Sequence, residues 1–145
     1  MKWITREHAK VDRIACPWLI RRFIDPAAQF LYVPAPRVLA LAEHEGAHSY
    51  DAPGAKYTHR DGKCSFEVLI DEFHLDDPAL ARLATIVHGA DVAADIAVCP
   101  EAAGLRAIAE GFAITTPDDH AKHEPEFALY DALYAWCKKE VAVRS

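Results

Sequence analysis

Three residue types that bind metal ions lie close together in segment 57–70, YTHRDGKCSFEVLI: His59, Cys64 and Glu67. The pattern predicts that His59 ends an extended piece and that Glu67 lies in the first turn of the next helix. Such a junction brings two side chains to one point, and borderline divalent metal ions accept imidazole nitrogen and carboxylate oxygen together. The alternative is structural, because a carboxylate in a first helical turn is favoured by the helix dipole. The spacing leaves both interpretations open.

A second candidate pair is His88 and Asp91 in VHGAD. Residues three apart share a face of a helix, and a histidine and a carboxylate at this spacing are a recurrent way to present two ligands. The alternative is that Asp91 caps the helix end while His88 interacts favourably with the helix dipole. Taken alone, this pair is a weak indication of a site.

The run PDDHAKH offers Asp119, His120 and His123. TPDD predicts a capping box of Thr116 and Asp119, which gives Asp119 a structural task. His120 and His123 share a helical face that could be entirely exposed to solvent. We therefore expect Asp119 or His120 only as an extra ligand to a site built around other residues.

The run DRIACPWLIRRF carries a different chemistry, because Arg13, Arg21 and Arg22 present planar donors suited to oxyanions. The alternative is that these arginines pair with acids such as Asp12 and tie the helix to its neighbours. Cys16 would be reactive if a helix N-terminus lowered its pKa, but a buried, inert thiol is the more common case. No Ser/His/Asp or Cys/His/Asp motif indicates nucleophilic catalysis.

The elements that must position these residues predict an α+β fold. Three or four short strands lie in the N-terminal half, at KWIT, QFLYV and around the Pro53-Gly54 turn, and most of five or six helices follow residue 65. Pro17 fits best in the first turn of a helix running to about Ile24. Ser65 and Asp77 are predicted helix N-caps. We expect a small sheet packed against a mainly helical C-terminal half, in a single domain spanning 1–145.

The composition narrows the function classes. The 145 residues carry a net charge of −6, which gives no support for nucleic-acid binding by this domain alone. The N-terminus lacks the apolar core of a signal peptide and the apolar runs are too short for a membrane span, so we expect a cytoplasmic protein. Four cysteines without a C-x-x-C pair indicate reduced thiols.

Five runs, DRIACPWLIRRFID, CSFE, DDPALARLATIVHGAD, PEAAGL and YDALYAW, together resemble the bacterial chromate resistance protein family. The resemblance extends from Trp3 to about Lys138, and the first run is its most specific part. It implies a role in survival under chromate stress, although the family's naming as exported conflicts with an N-terminus that has no signal. Some similar proteins carry an N-terminal regulatory region, and we expect this chain to begin at the domain itself. The residues to which the resemblance gives weight are Asp12, Arg13, Arg21, His59, Glu67, His88, Asp91 and Asp119.

The leading hypothesis is a cytoplasmic metal-binding domain of a chromate resistance system. His59, Glu67, His88 and Asp91 are predicted to converge on one divalent ion, and manganese, iron and zinc all suit nitrogen and oxygen ligands. Whether the protein is an enzyme stays open. In an enzyme, the ion would act as a Lewis acid or redox centre, and Asp12 with the arginines would orient an anionic substrate.

The alternative hypothesis is a non-catalytic sensor of an oxyanion such as chromate or sulfate. The anion would sit on Arg13, Arg21 or Arg22, at a helix N-terminus. A DNA-binding regulator and a scaffold that binds a partner through exposed aromatic residues are further alternatives. A homo-oligomer is also left open.

Overall fold

A small parallel sheet forms in the N-terminal half of the protein, of which the computed structural model describes residues 1–144. Its strands are β1 (Lys2–Arg6), β2 (Gln29–Val33) and β3 (His48–Ser49). The strand order is β2-β1-β3, and β1 pairs in parallel with both neighbours. Because parallel strands need crossover connections, a helix follows β1 and another follows β2. The predicted α+β fold with its sheet in the N-terminal half is confirmed.

Six α-helices and several short helical segments make up most of the chain. No helix among the described residues has both the length and the apolar character needed to cross a membrane. The α-helices are α1 (Asp12–Leu19), α2 (Val38–Glu45), α3 (Ser65–Glu72), α4 (Pro78–Asp91), α5 (Pro100–Thr115) and α6 (His123–Arg144). A π-helical segment (Ile20–Ile24) extends α1, and 3-10 turns occupy Ala35–Arg37, Ala93–Val98 and His120–Lys122.

The core lies where α1, α4 and α6 pack together and against the sheet. Trp18, Phe66, Leu80 and Tyr130 are fully buried within it. Burial of a side chain such as Leu80 contributes about 1.5–3 kcal/mol. Close packing of α4 against the following segments depends on Gly89, where a Cβ would lie 2.6 Å from Val98. This packing fixes the C-terminal end of α4, which carries two of the predicted ligands.

The prediction that Pro17 starts a helix is wrong, because α1 begins at Asp12 and contains Pro17. Proline has no N–H, so the carbonyl of Arg13 loses its partner within the helix. The Tyr32 hydroxyl donates a hydrogen bond to that carbonyl at 2.8 Å. The same hydroxyl lies 2.7 Å from Nε2 of His123. A strand residue therefore satisfies the carbonyl that Pro17 leaves unpaired, and it links α1 to the start of α6.

The start of α3 also differs from the prediction. Cys64 is the N-cap and Ser65 is the first helical residue. Glu67 accepts a hydrogen bond from the Cys64 main-chain N–H at 3.0 Å, and the Ser65 hydroxyl donates to Asp51 at 2.8 Å. Ser65 therefore serves a tertiary contact rather than its own helix. By contrast, Asp77 caps α4 as predicted.

The predicted capping box of Thr116 and Asp119 is wrong as well. Asp119 accepts hydrogen bonds from the main-chain N–H groups of His8 and Ala9, at 2.9 and 2.8 Å. The buried Lys122 ammonium donates to Asp119 at 3.0 Å. Asp119 thus anchors the β1–α1 connection to the segment before α6.

The Pro17 arrangement generates a prediction about stability. Tyr32→Phe should lower the free energy of unfolding by about 1–2 kcal/mol, because it leaves the Arg13 carbonyl without a donor. In a Pro17→Ala background, the restored main-chain N–H can donate to the Arg13 carbonyl. The effect of Tyr32→Phe on the free energy of unfolding should therefore shrink to about 0.5 kcal/mol. Urea unfolding of the four proteins in this double-mutant cycle measures both values. Additive effects would contradict the assignment.

Candidate functional site

The candidate site lies at the carboxyl ends of β1 and β3. The chain passes from β1 to β2 on one side and returns to β3 on the other, so the connections diverge between β1 and β3. Such a divergence opens a crevice in which ligands of parallel sheets commonly bind. Asp12, the first residue of α1, follows β1, and Asp51 follows β3. The topology therefore brings two carboxylates from separate segments to one crevice.

The imidazole of His59 points into this crevice and meets three carboxylates. Its Nε2 lies 3.5 Å from Asp12 Oδ2, 3.2 Å from Asp51 Oδ1 and 3.2 Å from Asp91 Oδ2. Asp12 and Asp51 are buried, whereas the His59 side chain is 45% exposed. These four residues, which we call the His59 cluster, come from four separate segments of the chain.

The two buried carboxylates are held by partners of their own. Asp12 accepts main-chain N–H bonds from Ser65 at 2.7 Å and Phe66 at 3.2 Å, the first residues of α3. The exposed N–H groups and the dipole of a helix start favour an anion there. Asp51 accepts from the Ser65 hydroxyl and lies 3.4 Å from the Arg13 guanidinium. Both carboxylates are therefore fixed before any ligand arrives.

The main chain at Asp51 is also constrained. Its φ is +44°, in the left-handed region that aspartate tolerates better than most residues. Thr5 Oγ1 and Arg6 Nε donate to the Asp51 carbonyl at 3.3 and 3.2 Å. The end of β1 therefore holds this carbonyl, and the Asp51 side chain turns towards His59.

The three acids of the His59 cluster outnumber the positive groups beside them, His59 and Arg13. Burial and the carboxylates of Asp12 and Asp51 raise the pKa of Asp91 to about 7. The carboxylates of Asp12 and Asp51 raise the pKa of His59 to about 10. With all three acids ionised, protonated His59 and Arg13 supply two positive charges against three negative charges. A cation would restore the balance.

The distances from His59 Nε2 to the three carboxylates are longer than those of strong charge-assisted hydrogen bonds. Charge-assisted N–H···O bonds are about 2.7–2.9 Å long, and a single Nε2–H cannot point at three acceptors. Ligand atoms about 2.1 Å from one ion are about 3.0–3.4 Å apart at angles between 90° and the tetrahedral value. The ligand atoms of Asp12, His59 and Asp91 all lie within 4.8 Å of one another. These three residues could therefore hold one ion between them.

A second group contains Cys64, Glu67 and His88, whose ligand atoms also lie within 4.8 Å of one another. Here the distances are those of hydrogen bonds: His88 Nδ1 lies 2.5 Å from Glu67, and Nε2 lies 2.6 Å from Asp95. Burial lowers the pKa of His88, but its bonds to Asp95 and Glu67 outweigh burial and raise it. Burial raises the pKa of the Cys64 thiol. A protonated ring and a protonated thiol make this group a hydrogen-bonded bridge between α3 and α4 rather than a ready ligand set.

The four residues predicted to share one ion are divided between these two groups. His59 and Asp91 belong to the first, and Glu67 and His88 belong to the second. His88 and Asp91 are three residues apart on α4, yet one reaches α3 and the other reaches the crevice. The structure therefore does not bring the four together as predicted.

The predicted extra ligands lie in neither group. Asp119 anchors the β1–α1 connection, as described above. The His120 ring packs edge-on against Tyr32 and lies 5.8 Å from the His123 ring, measured between centroids. Both residues therefore have structural contacts of their own.

The three arginines predicted to bind an anion have separate partners. Arg13 pairs with Asp51, and Arg22 forms a 2.9 Å ion pair with Asp131. Arg21 donates to the main-chain carbonyl of Ala28 at 2.6 Å. This arrangement does not favour a shared anion site on Arg13, Arg21 and Arg22. Asp12, predicted with them as a substrate contact, belongs instead to the His59 cluster.

The site contains one residue that the sequence did not indicate. Asp51 follows a strand of two residues and precedes an Ala-Pro-Gly turn, so neither periodicity nor a motif marks it. Its place could have been inferred only from the pairing of β3 with β1, because that pairing puts the end of β3 beside the start of α1.

Comparison with known proteins identifies the family. Residues 3–137 match the family described as ChrB, C-terminal domain. The chain belongs to this family. Over 134 residues it is 41% identical to Protein ChrB of Cupriavidus metallidurans (strain ATCC 43123 / DSM 2839 / NBRC 102507 / CH34). The aligned region covers 92% of this chain and 40% of that protein. The chain thus spans well under half the length of this relative, and no solved structure matches it. The resemblance seen in the sequence is confirmed as membership of the ChrB family.

The electrostatics of this ChrB-family site predict an unusual histidine titration. In metal-free protein at pH 7, His59 should be an imidazolium, whereas the half-buried His123, whose pKa is lowered to about 4 chiefly by loss of solvent around its ring, should be neutral. The stability that protonated His59 contributes is fully present below its ordinary pKa of 6.5 and is lost as the pH rises through about 10. Long-range nitrogen–proton NMR spectra distinguish the two ring states. A neutral His59 ring at pH 7 would contradict this description of the cluster.

Proposed function

We propose that this chain is a metal-binding domain that serves chromate resistance, with a divalent ion held by Asp12, His59 and Asp91. The observation that carries the proposal is the position of His59 Nε2, 3.2–3.5 Å from three carboxylate oxygens. The link to chromate rests on the family resemblance of the sequence. A role within a longer protein is part of the same proposal.

The proposed ligand set favours particular ions. One imidazole and two or three carboxylates form a set poor in nitrogen and free of sulfur, which suits Mn²⁺ and Fe²⁺ and also permits Zn²⁺. Asp51 is either a further ligand or an orienting group, since Ser65 and Arg13 already hold its oxygens. The N–H bonds to Asp12 from the start of α3 would orient that ligand, as outer-sphere hydrogen bonds do in metal sites.

The exposure of the site supports a role in binding a further ligand. Nearly half of the His59 side chain is open to solvent, so an ion beside it would keep positions for water or an anion. Open coordination positions distinguish reactive metal sites from closed structural ones. A bound ion there would act as a Lewis acid towards an anionic ligand.

The cytoplasm remains the proposed compartment. All four cysteines are unpaired, and Cys16, Cys64 and Cys137 are buried. Unpaired thiols are typical of proteins in a reducing compartment.

A Mn²⁺ titration followed by electron paramagnetic resonance tests the metal site. The signal of free hydrated Mn²⁺ falls as the ion binds, so the spectra give stoichiometry and affinity. The wild type should bind one equivalent, and His59→Ala and Asp91→Ala should each weaken binding by about 100-fold or more, because each removes a direct ligand and even the loss of an outer-shell partner costs about 10–100-fold. Glu67→Gln, in the second group, is the matched control and should leave the affinity within about threefold of wild type.

Two results would count against the proposal. One is Mn²⁺ binding that His59→Ala leaves unchanged in a variant whose circular dichroism shows it to be folded. The other is an equal loss in Glu67→Gln, which would move the site to the Cys64–Glu67–His88 group. Repeating the titration with Fe²⁺ and Zn²⁺ covers the remaining ions.

A further inference from the structure

A cleft beside the His59 cluster is not explained by the metal site. It has a volume of about 200 Å³, and Lys10, Asp91, Arg106 and Glu110 are its charged lining residues. Asp91 belongs to both features, with its side chain 19% exposed. The cleft is therefore lined by residues of α4 and α5, and it reaches Asp91, one of the carboxylates that would hold the ion.

The two cations of this cleft are available for a ligand. Arg106 pairs with Glu110 at 3.2 Å, but both side chains are more than 40% exposed, so this pair is worth little. Lys10 forms no ion pair within the part of the chain that the structure describes. The remaining lining residues are Val11 and three alanines, Ala90, Ala93 and Ala109, whose small side chains leave room beside the charges.

The charges of the cleft make anion binding depend on a cation. With no ion bound, Lys10 and Arg106 are opposed by Asp91 and Glu110, so the cleft offers an anion no net attraction. A divalent ion bound to Asp91 makes the net charge around the cleft positive. An anion in the cleft would then have a metal ion, an ammonium group and a planar guanidinium suited to two oxygens among its surroundings.

We propose that the cleft binds a small tetrahedral oxyanion of charge −2, which Lys10 and Arg106 hold beside the metal ion. This inference rests on the proposed metal site and deepens it, because it names the class of ligand that the open side of the ion receives. Since the two ligands share Asp91 as their boundary, each should raise the affinity for the other by the same factor.

Calorimetric titration with sulfate in a chloride buffer tests the proposal. Mn²⁺-loaded protein should bind one sulfate, and metal-free protein should bind at least tenfold more weakly. Lys10→Ala and Arg106→Gln should each reduce the sulfate affinity of the Mn²⁺-loaded protein about tenfold while leaving Mn²⁺ affinity without sulfate unchanged. Arg60→Gln is the matched control, because Arg60 also forms an exposed ion pair with a glutamate, Glu72, but lies outside the cleft; it should bind sulfate as wild type does.

The outcomes separate this inference from the metal site. Mn²⁺ binding without sulfate binding would overturn the oxyanion site alone. Equal sulfate binding with and without Mn²⁺, or binding that Lys10→Ala and Arg106→Gln leave intact, would also overturn it. Absence of binding of Mn²⁺, Fe²⁺ and Zn²⁺ alike would overturn both proposals and is seen before sulfate is added. Competition by phosphate, chromate and nitrate then identifies the preferred anion, and the monoanion nitrate should compete at least tenfold less well than the dianions.

Discussion

The buried carboxylate of Asp12 is the interaction on which the rest of the site depends. A carboxylate taken out of water costs several kcal/mol unless hydrogen bonds and charges compensate for the lost hydration. Asp12 receives part of that compensation from the first N–H groups of α3 and from the imidazole of His59, while burial still raises its pKa. The same contacts fix the start of α3, and so place the Ser65 hydroxyl where it can hold Asp51. The arrangement joins α1, α3 and the end of β3 through one side chain.

The His59 cluster and the Cys64–Glu67–His88 group use similar residues for different ends. In the second group, each nitrogen of His88 meets one carboxylate at hydrogen-bond distance, so its donors are matched one to one by acceptors. In the His59 cluster, one nitrogen faces three carboxylates at longer distances, and with all three ionised the negative charge exceeds the positive charge. Natural proteins retain such unbalanced buried charge chiefly at functional sites, where stability is given up for activity. This contrast is the physical basis for placing the metal ion at the first group.

Sequence reasoning recovered the elements whose signals are local. The two longer strands follow from short runs of apolar, β-branched and aromatic residues, and the Asp77 cap follows from capping chemistry; the structure has them where they were predicted. The errors arose where a distant residue altered a local rule. Tyr32 supplies the hydrogen-bond donor that makes Pro17 acceptable inside α1. A main-chain N–H group in the loop before α1 donates to the carboxylate of Asp119, which therefore does not cap its own helix.

The candidate site could be predicted only in part for the same reason. His59 and Asp91 were recognised by residue type, but Asp51 could not be, because its position depends on the pairing of β3 with β1. His88 and Asp91 do lie near one face of α4, as argued from the sequence, but it did not follow that they meet the same neighbours. Residues three apart on a helix differ by about 60° around its axis, which is enough for each to meet a different neighbour.

The measurement that tests the account most directly is an anomalous difference map from crystals of the Mn²⁺-loaded protein. If the ion is held as proposed, the map shows one strong peak about 2.0–2.3 Å from Nε2 of His59 and from a carboxylate oxygen of Asp91, with the Asp12 carboxylate also bound. A peak beside Cys64 and His88, or no peak in protein that has been saturated with Mn²⁺, would contradict it.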